Sequence, residues 1–192
     1  MNIEEIKEST TKILGKNIIY YKEIDSTQNE AKNLINTKIE NGTIILADSQ
    51  YKGRGTKENT WYTGKGKNIA MTLIIFPKCN IEDLKGLTKL ISECIVTTIR
   101  NLYNYELTIK YPNDVFLNGK KIAGILTETS TNKNQVNHIL IGIGLNVNEN
   151  NFNIDTVNIA TSLKREYNKE FSREEIIKRF LEIFEDNIKS II

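Results

Sequence analysis

Histidine is nearly missing from this 192-residue chain, in which His138 is the single one. His138 reads as a packed strand residue, so neither a Ser/His/Asp relay nor a histidine metal cluster is expected. Cysteine is almost as scarce. Cys79 and Cys94 stand too far apart for a CxxC pair and are too few for a disulfide framework, so both are expected to be buried free thiols. Charge of one sign is not in excess either: 26 Lys and Arg face 24 Asp and Glu, a net charge of +2, so no long-range field favours nucleic acid or a membrane surface as partner. The longest apolar stretches, near 69–76 and 139–147, are strand length and far short of the roughly 20 residues of a membrane helix. Residues 1–11 lack the basic-then-apolar order of a secretory signal, and the expected compartment is the cytoplasm. Only two prolines occur, with no repeat and no Pro/Gly/Ser linker, so residues 1–192 are read as one domain.

What is present is enough apolar material for a core, 39% of residues, arranged in clear periods. Thr27 and Glu30 have the spacing of a capping box, and Ala31, Leu34, Ile35 and Ile39 then mark one helical face before Asn41-Gly42 stops it. Strands are expected at 43–47 and 68–76, separated by a long loop. Apolar residues from Leu84 to Leu102 recur at helical spacing and predict the longest helix over 81–103. Strands follow at 106–111 and 115–117, and Asn118-Gly119 has the residues of a type I′ hairpin turn into a strand at 121–129. A polar turn at 132–134 leads to a strand at 136–145, and Ser172 with Glu175 caps a last amphipathic helix through Phe184. The expected fold is α+β: a mixed, largely antiparallel sheet packed with helices.

Three segments carry chemistry. The loop 50–68 holds four glycines, four lysines and Arg54, which Gly53 and Gly55 flank. Glycines let backbone N–H groups approach an anion, and a guanidinium offers a planar fork to carboxylate or phosphate. Trp61, the single tryptophan, either stacks on a flat ligand such as adenine or shuts the loop against the body. In the second segment, Pro112 ends a strand so that Asn113 and Asp114 emerge at a sheet end, either as a plain turn or as groups for Mg²⁺ or a phosphate-bearing ligand. Lys121 opens an otherwise apolar strand, where an ammonium either snorkels out or meets an anion. In the third, glycines at alternate positions, Gly142 and Gly144, leave one strand face bare for a ligand or another backbone, with Asn146 at the end placed to read a purine edge.

Taken in order, Asp25-Ser26-Thr27-Gln28, Gly53-Arg54-Gly55 with Trp61, Lys110-Tyr111-Pro112-Asn113-Asp114, Lys121-Ile122-Ala123-Gly124-Ile125-Leu126 and Gly142-Ile143-Gly144-Leu145-Asn146 resemble the biotin protein ligase family. The resemblance covers roughly residues 20–165 and implies a fold related to class II aminoacyl-tRNA synthetase cores. It implies activation of biotin with ATP and Mg²⁺ to biotinyl-5′-adenylate, then transfer of biotin to a lysine of a carrier domain of a biotin-dependent carboxylase. Ser26, Thr27, Gln28, Gln50, Gly53 and Gly124 would then line the biotin pocket, with Arg54, Gly55, Thr56 and Lys121 at its carboxylate end. Trp61 and Asn146 would hold adenine beside Arg54, Lys110 and Asn113, and Asp114 would meet the metal. Arg54, Lys110 and Lys121 would be the catalytic cations, converging between the carboxylate and the α-phosphate.

Departures from the family pattern refine these expectations. The second arginine of the usual Gly-Arg-Gly-Arg is Thr56, so one bidentate donor is lost and a weaker grip on the adenylate is expected unless Lys57 replaces the charge. Gln28 stands for the usual asparagine and Tyr111 for tryptophan. Only 25 residues precede the Ser-Thr motif, so no helix-turn-helix and no DNA binding are expected, and the small C-terminal β-barrel usual in the family is expected to be absent. Homodimers through the sheet are common in the family. Lipoate or octanoyl transfer on the same fold, and a non-catalytic biotin-binding sensor, are the competing readings.

Overall fold

The computed structural model describes residues 1–154 and 156–192, the side chain of Glu58 aside. Its elements run α1 (Ile3–Lys7), β1 (Ile18–Tyr21), α2 (Thr27–Leu34), β2 (Thr43–Ala47), β3 (Ile69–Ile75), α3 (Leu87–Tyr103), β4 (Thr108–Lys110), β5 (Asp114–Leu117), β6 (Lys120–Asn132), β7 (Gln135–Leu145), α4 (Leu163–Tyr167) and α5 (Arg173–Ile188), with short 3₁₀ turns at Thr56–Glu58 and Ile81–Leu84. One seven-stranded sheet has the order β1-β2-β3-β7-β6-β5-β4. β1 and β2 are parallel and every other pair is antiparallel, so the fold is the mixed α+β sheet expected.

The central strands obey a period of two, which puts alternate side chains on opposite faces. Met71, Leu73, Ile141, Ile143 and Ile125 point into the main core, which α3 and α5 cover with Ile91, Ile95, Ile99, Phe180 and Phe184. On the other face Ile45, Ile74 and Leu140 meet Ala31 of α2 in a smaller cluster. Beyond those large residues β3 and β7 present small ones on the second face, beside Leu126 of β6. Register places Ala70 opposite Gly144, Thr72 opposite Gly142, and Gly124 opposite Gly144, so three strands present one contiguous shallow floor beside α2.

Local signals decide several boundaries. Asn118 and Gly119 both have positive φ, 50° and 76°, as a type I′ turn requires. Ser172 Oγ accepts from the Glu175 amide at 3.1 Å, the expected cap of α5. The cap of α2 is Ser26 rather than Thr27: its Oγ accepts from the Gln28 amide at 3.2 Å, while Glu30 accepts from Tyr21 Oη. That helix ends at Leu34, and Gly42, at φ 79°, makes the entry turn to β2 where a side chain would collide with Ile13. The helix expected over 81–103 is broken, because Lys85 is extended and Gly86 takes φ 87°, so α3 starts at Leu87. α1, β1 and α4 have periods too short to read from sequence. Cys79 and Cys94 are free and buried.

Phe184 is fully buried between α5 and the sheet and stacks on Phe180, with centroids 5.5 Å apart. Phe184→Ala should lower unfolding free energy by about 3–5 kcal/mol in a urea titration, and a loss under about 1 kcal/mol would contradict this core assignment.

Candidate active site

The floor of small residues is the base of a cleft. Its walls are the start of α2 with Ser26, Thr27 and Gln28, the loop residues Gln50, Arg54, Gly55, Thr56 and Trp61, and Asn113 with Lys121 from the β4–β5–β6 side. Large side-chain groups lie directly on the floor glycines. A methyl group on Gly142 would stand 2.7 Å from Gln28 Oε1, and one on Gly124 3.0 Å from Trp61 Cζ3. At Gly144 it would overlap the Trp61 ring itself.

One end of the cleft is a hydrogen-bonded polar set. Gln50 Oε1 accepts from the Thr27 amide at 2.8 Å and from Thr27 Oγ1 at 3.1 Å, while Gln50 Nε2 donates to Thr63 Oγ1 at 3.1 Å. Thr72, fully buried on β3, points its hydroxyl at Thr27 Oγ1, 2.9 Å away, and at Gln28 Oε1, 3.1 Å away. Such a set fixes amide and hydroxyl orientations at low dielectric, and suits a neutral polar ring with donors and acceptors.

The other end is charged. Lys121 Nζ lies 2.6 Å from Asp114 Oδ1, an ion pair without hydrogen-bond alignment, and 5.6 Å from the centroid of the Trp61 ring. Trp61 Nε1 is buried over Gly144 with no hydrogen-bond partner. Arg54 and Glu128 of β6 meet fork to fork, Nη1 to Oε2 at 3.2 Å and Nη2 to Oε1 at 3.0 Å. Gln28 Nε2 and Lys32 Nζ donate to the same carboxylate at 2.8 and 2.7 Å. Burial by itself raises the Glu128 carboxyl, but the hydrogen bonds from Lys32, Arg54 and Gln28 outweigh it and hold the group down at about 2.

Of the residues singled out from sequence, Ser26, Thr27, Gln28, Gln50, Arg54, Gly55, Thr56, Trp61, Asn113, Lys121 and Gly124 share this one cleft. Asp114 sits beside it through Lys121, and Gly53 packs behind it against the Trp61 carbonyl. Lys110 is not brought there: it is exposed on β4 with its Nζ 6.0 Å from the Phe116 ring centroid. Asn146 is buried, its amide donating to the Thr161 carbonyl at 3.0 Å, and it does not line the cleft. Glu128, Lys32 and Thr72 escaped the sequence reading. A glutamate two residues beyond the apolar stretch 122–126 was the available sign for Glu128. The donors do not fit a protein-held metal site. Asp114 is already paired with Lys121, and among the described residues no three His, Cys, Asp or Glu cluster closely enough to hold an ion.

Two tests follow from this geometry. Because Trp61 is the single tryptophan, its emission reports the floor directly, and Gly144→Ala should expel the ring and shift the emission maximum to the red. An unchanged maximum would contradict the contact. Since the folded Glu128 carboxyl lies below its ordinary 4.5, its pairing contributes in full above that value and is lost as pH falls toward about 2. The stability difference between the native chain and Glu128→Gln should be flat above pH ~5 and narrow below ~4.5 in denaturant titrations; a difference independent of pH over that range would refute the pairing.

Residues 20–146 match the family model described as the Biotin/lipoate A/B protein ligase family. The bifunctional ligase/repressor BirA of Bacillus subtilis is 36% identical over 177 residues, covering 91% of this chain and 54% of that protein. A biotin–[acetyl-CoA-carboxylase] ligase of Paracoccus denitrificans is 34% identical over 125 residues, covering 64% of this chain and 51% of that one. The chain thus spans about half the length of these curated relatives. The biotin protein ligase of Aquifex aeolicus, solved in complex with biotin and ATP, superposes with a TM-score of 0.76 at 28% identity over 91% of this chain and 71% of that one. Fold, cleft and sequence agree, and the chain belongs to the biotin/lipoate A/B protein ligase family.

Proposed function

We propose that this chain is a cytoplasmic catalytic domain that activates biotin with ATP to biotinyl-5′-adenylate and passes the biotinyl group to a lysine of a carboxylase's carrier domain. The observation that carries the reading is the cleft itself. A flat floor of small residues runs from the neutral polar set of Thr27, Gln50 and Thr72 to the cation Lys121, which matches a molecule with a polar ring at one end and an acid at the other. The family membership and the relatives' own activities support the choice of biotin and ATP.

In the first step a carboxylate oxygen of biotin forms a bond to the α-phosphorus and the bond to the bridging oxygen breaks, releasing pyrophosphate. That acid is ionised at neutral pH, so no base is needed; the obstacle is repulsion between two anions. Lys121 offsets that repulsion in this reading, exchanging its Asp114 contact for the phosphates; its single, flexible ion pair supports the role. Trp61 takes the nucleotide base on its aromatic face, a role supported by its position in the cleft lining. In the second step the carrier's lysine amine attacks the acyl carbon and AMP leaves. Magnesium accompanies ATP.

Incubation with biotin, MgATP and a biotin carrier domain should release pyrophosphate and raise the carrier's mass by one biotinyl group. Lys121→Ala should slow pyrophosphate release by about 10²-fold or more. A Lys121→Ala protein as fast as the parent would overturn the role of Lys121, and activation of lipoate in place of biotin would reassign the substrate.

A further inference from the structure

Two cations line the cleft, Arg54 and Lys121, yet the structure treats them differently. Lys121 has one ion-pair partner and a flexible stem. Arg54 has both terminal nitrogens on Glu128, and Nη1 also reaches Asn29 Oδ1 at 3.4 Å. Each Glu128 oxygen accepts twice: Oε1 from Arg54 and Lys32, Oε2 from Arg54 and Gln28. For Arg54 to meet a substrate acid it would exchange one carboxylate for another and abandon a half-buried Glu128, which returns little.

We infer that Arg54 is a positioning residue acting through Glu128: the pair pins the loop over the cleft to β6, and Arg54 does not meet the substrate's acid group. The loop is built to transmit that anchor. Arg54 bridges Thr60, the Gly55 amide donates to the Asn59 carbonyl at 2.7 Å, and the Trp61 amide donates to the Gly53 carbonyl at 2.9 Å. Fixing the Arg54 end of this small hairpin therefore fixes the Trp61 end, which lies on Gly124 and Gly144. On its other side the same carboxylate holds Gln28, whose Oε1 faces Thr72 across Gly142. One glutamate thus sets both the loop wall and the helix wall of the cleft, and Lys121 is the lining cation left to meet substrate anions.

Only the kinetic arm of the test rests on the ligase reading; the first arm needs no substrate. Hydrogen exchange on the ligand-free chain should show faster exchange at the Gly55 and Trp61 amides in both Arg54→Met and Glu128→Gln. Protection in α3 should stay native, and Lys32→Met, which removes a different partner of Glu128, should leave the loop protected. Unchanged loop exchange in Arg54→Met and Glu128→Gln would overturn the inference. In the second arm, biotin-dependent pyrophosphate release is measured for both single variants and for the double variant. Each single should lose about tenfold in kcat/KM and the double about the same tenfold, with one common division between kcat and KM. Losses that multiply to about a hundredfold, with Arg54→Met the worse single, would mean direct contact between Arg54 and the substrate. A native chain that neither binds biotin nor releases pyrophosphate would sink the proposed function, and the exchange arm would then decide the role of Arg54.

Discussion

Everything in this fold turns on a size difference between the two faces of three adjacent strands. β3, β7 and β6 carry Leu, Ile and Met toward α3 and α5, while toward α2 they carry Ala70, Thr72, Gly142, Gly144 and Gly124, with Leu126 at the rim. The large residues drive the sheet onto its helices, since burying each contributes about 1.5–3 kcal/mol. The small ones give up that contribution on the second face and leave a flat hollow in its place. A slip of one residue in any of these pairings would turn the glycines into the core and the isoleucines into the cleft, so core packing itself enforces the site. That coupling explains how a binding surface can be lined by backbone and still be rigid.

The charges around the hollow are arranged in pairs that differ in consequence. Arg54 with Glu128 is a forked pair with extra donors on every oxygen, the arrangement of a fixed joint. Lys121 with Asp114 is a single point contact on a flexible stem, the arrangement of a cation that can change partners. A half-buried ion pair is poor evidence for stability as such, because desolvation offsets much of the attraction. Its value here is geometric, holding a glycine-rich loop that has little packing of its own over the sheet.

Much of this was legible in the sequence because the signals were short-range. Alternate glycines at 142 and 144 marked a bare strand face, Asn118-Gly119 marked the hairpin, and Ser172 marked the start of α5. The polar set was visible as residue types, but its closure through Thr72 was not, since a threonine in a β-branched strand looks like any other strand residue. Glu128 was missed for a related reason: its four donor contacts come from residues 74 to 100 positions away, and no local period encodes them. Counting cations gave three and assumed they converged. Lys110 sits on the edge strand β4, where register turns it away, and Arg54 arrives already paired.

The most direct test of the central claim is a crystal structure of the chain with biotin bound. The ring system should lie against Thr72 and Gly142, with Gln50 and Thr27 at its polar edge and the acid directed to Lys121. Biotin found outside this hollow would contradict the account.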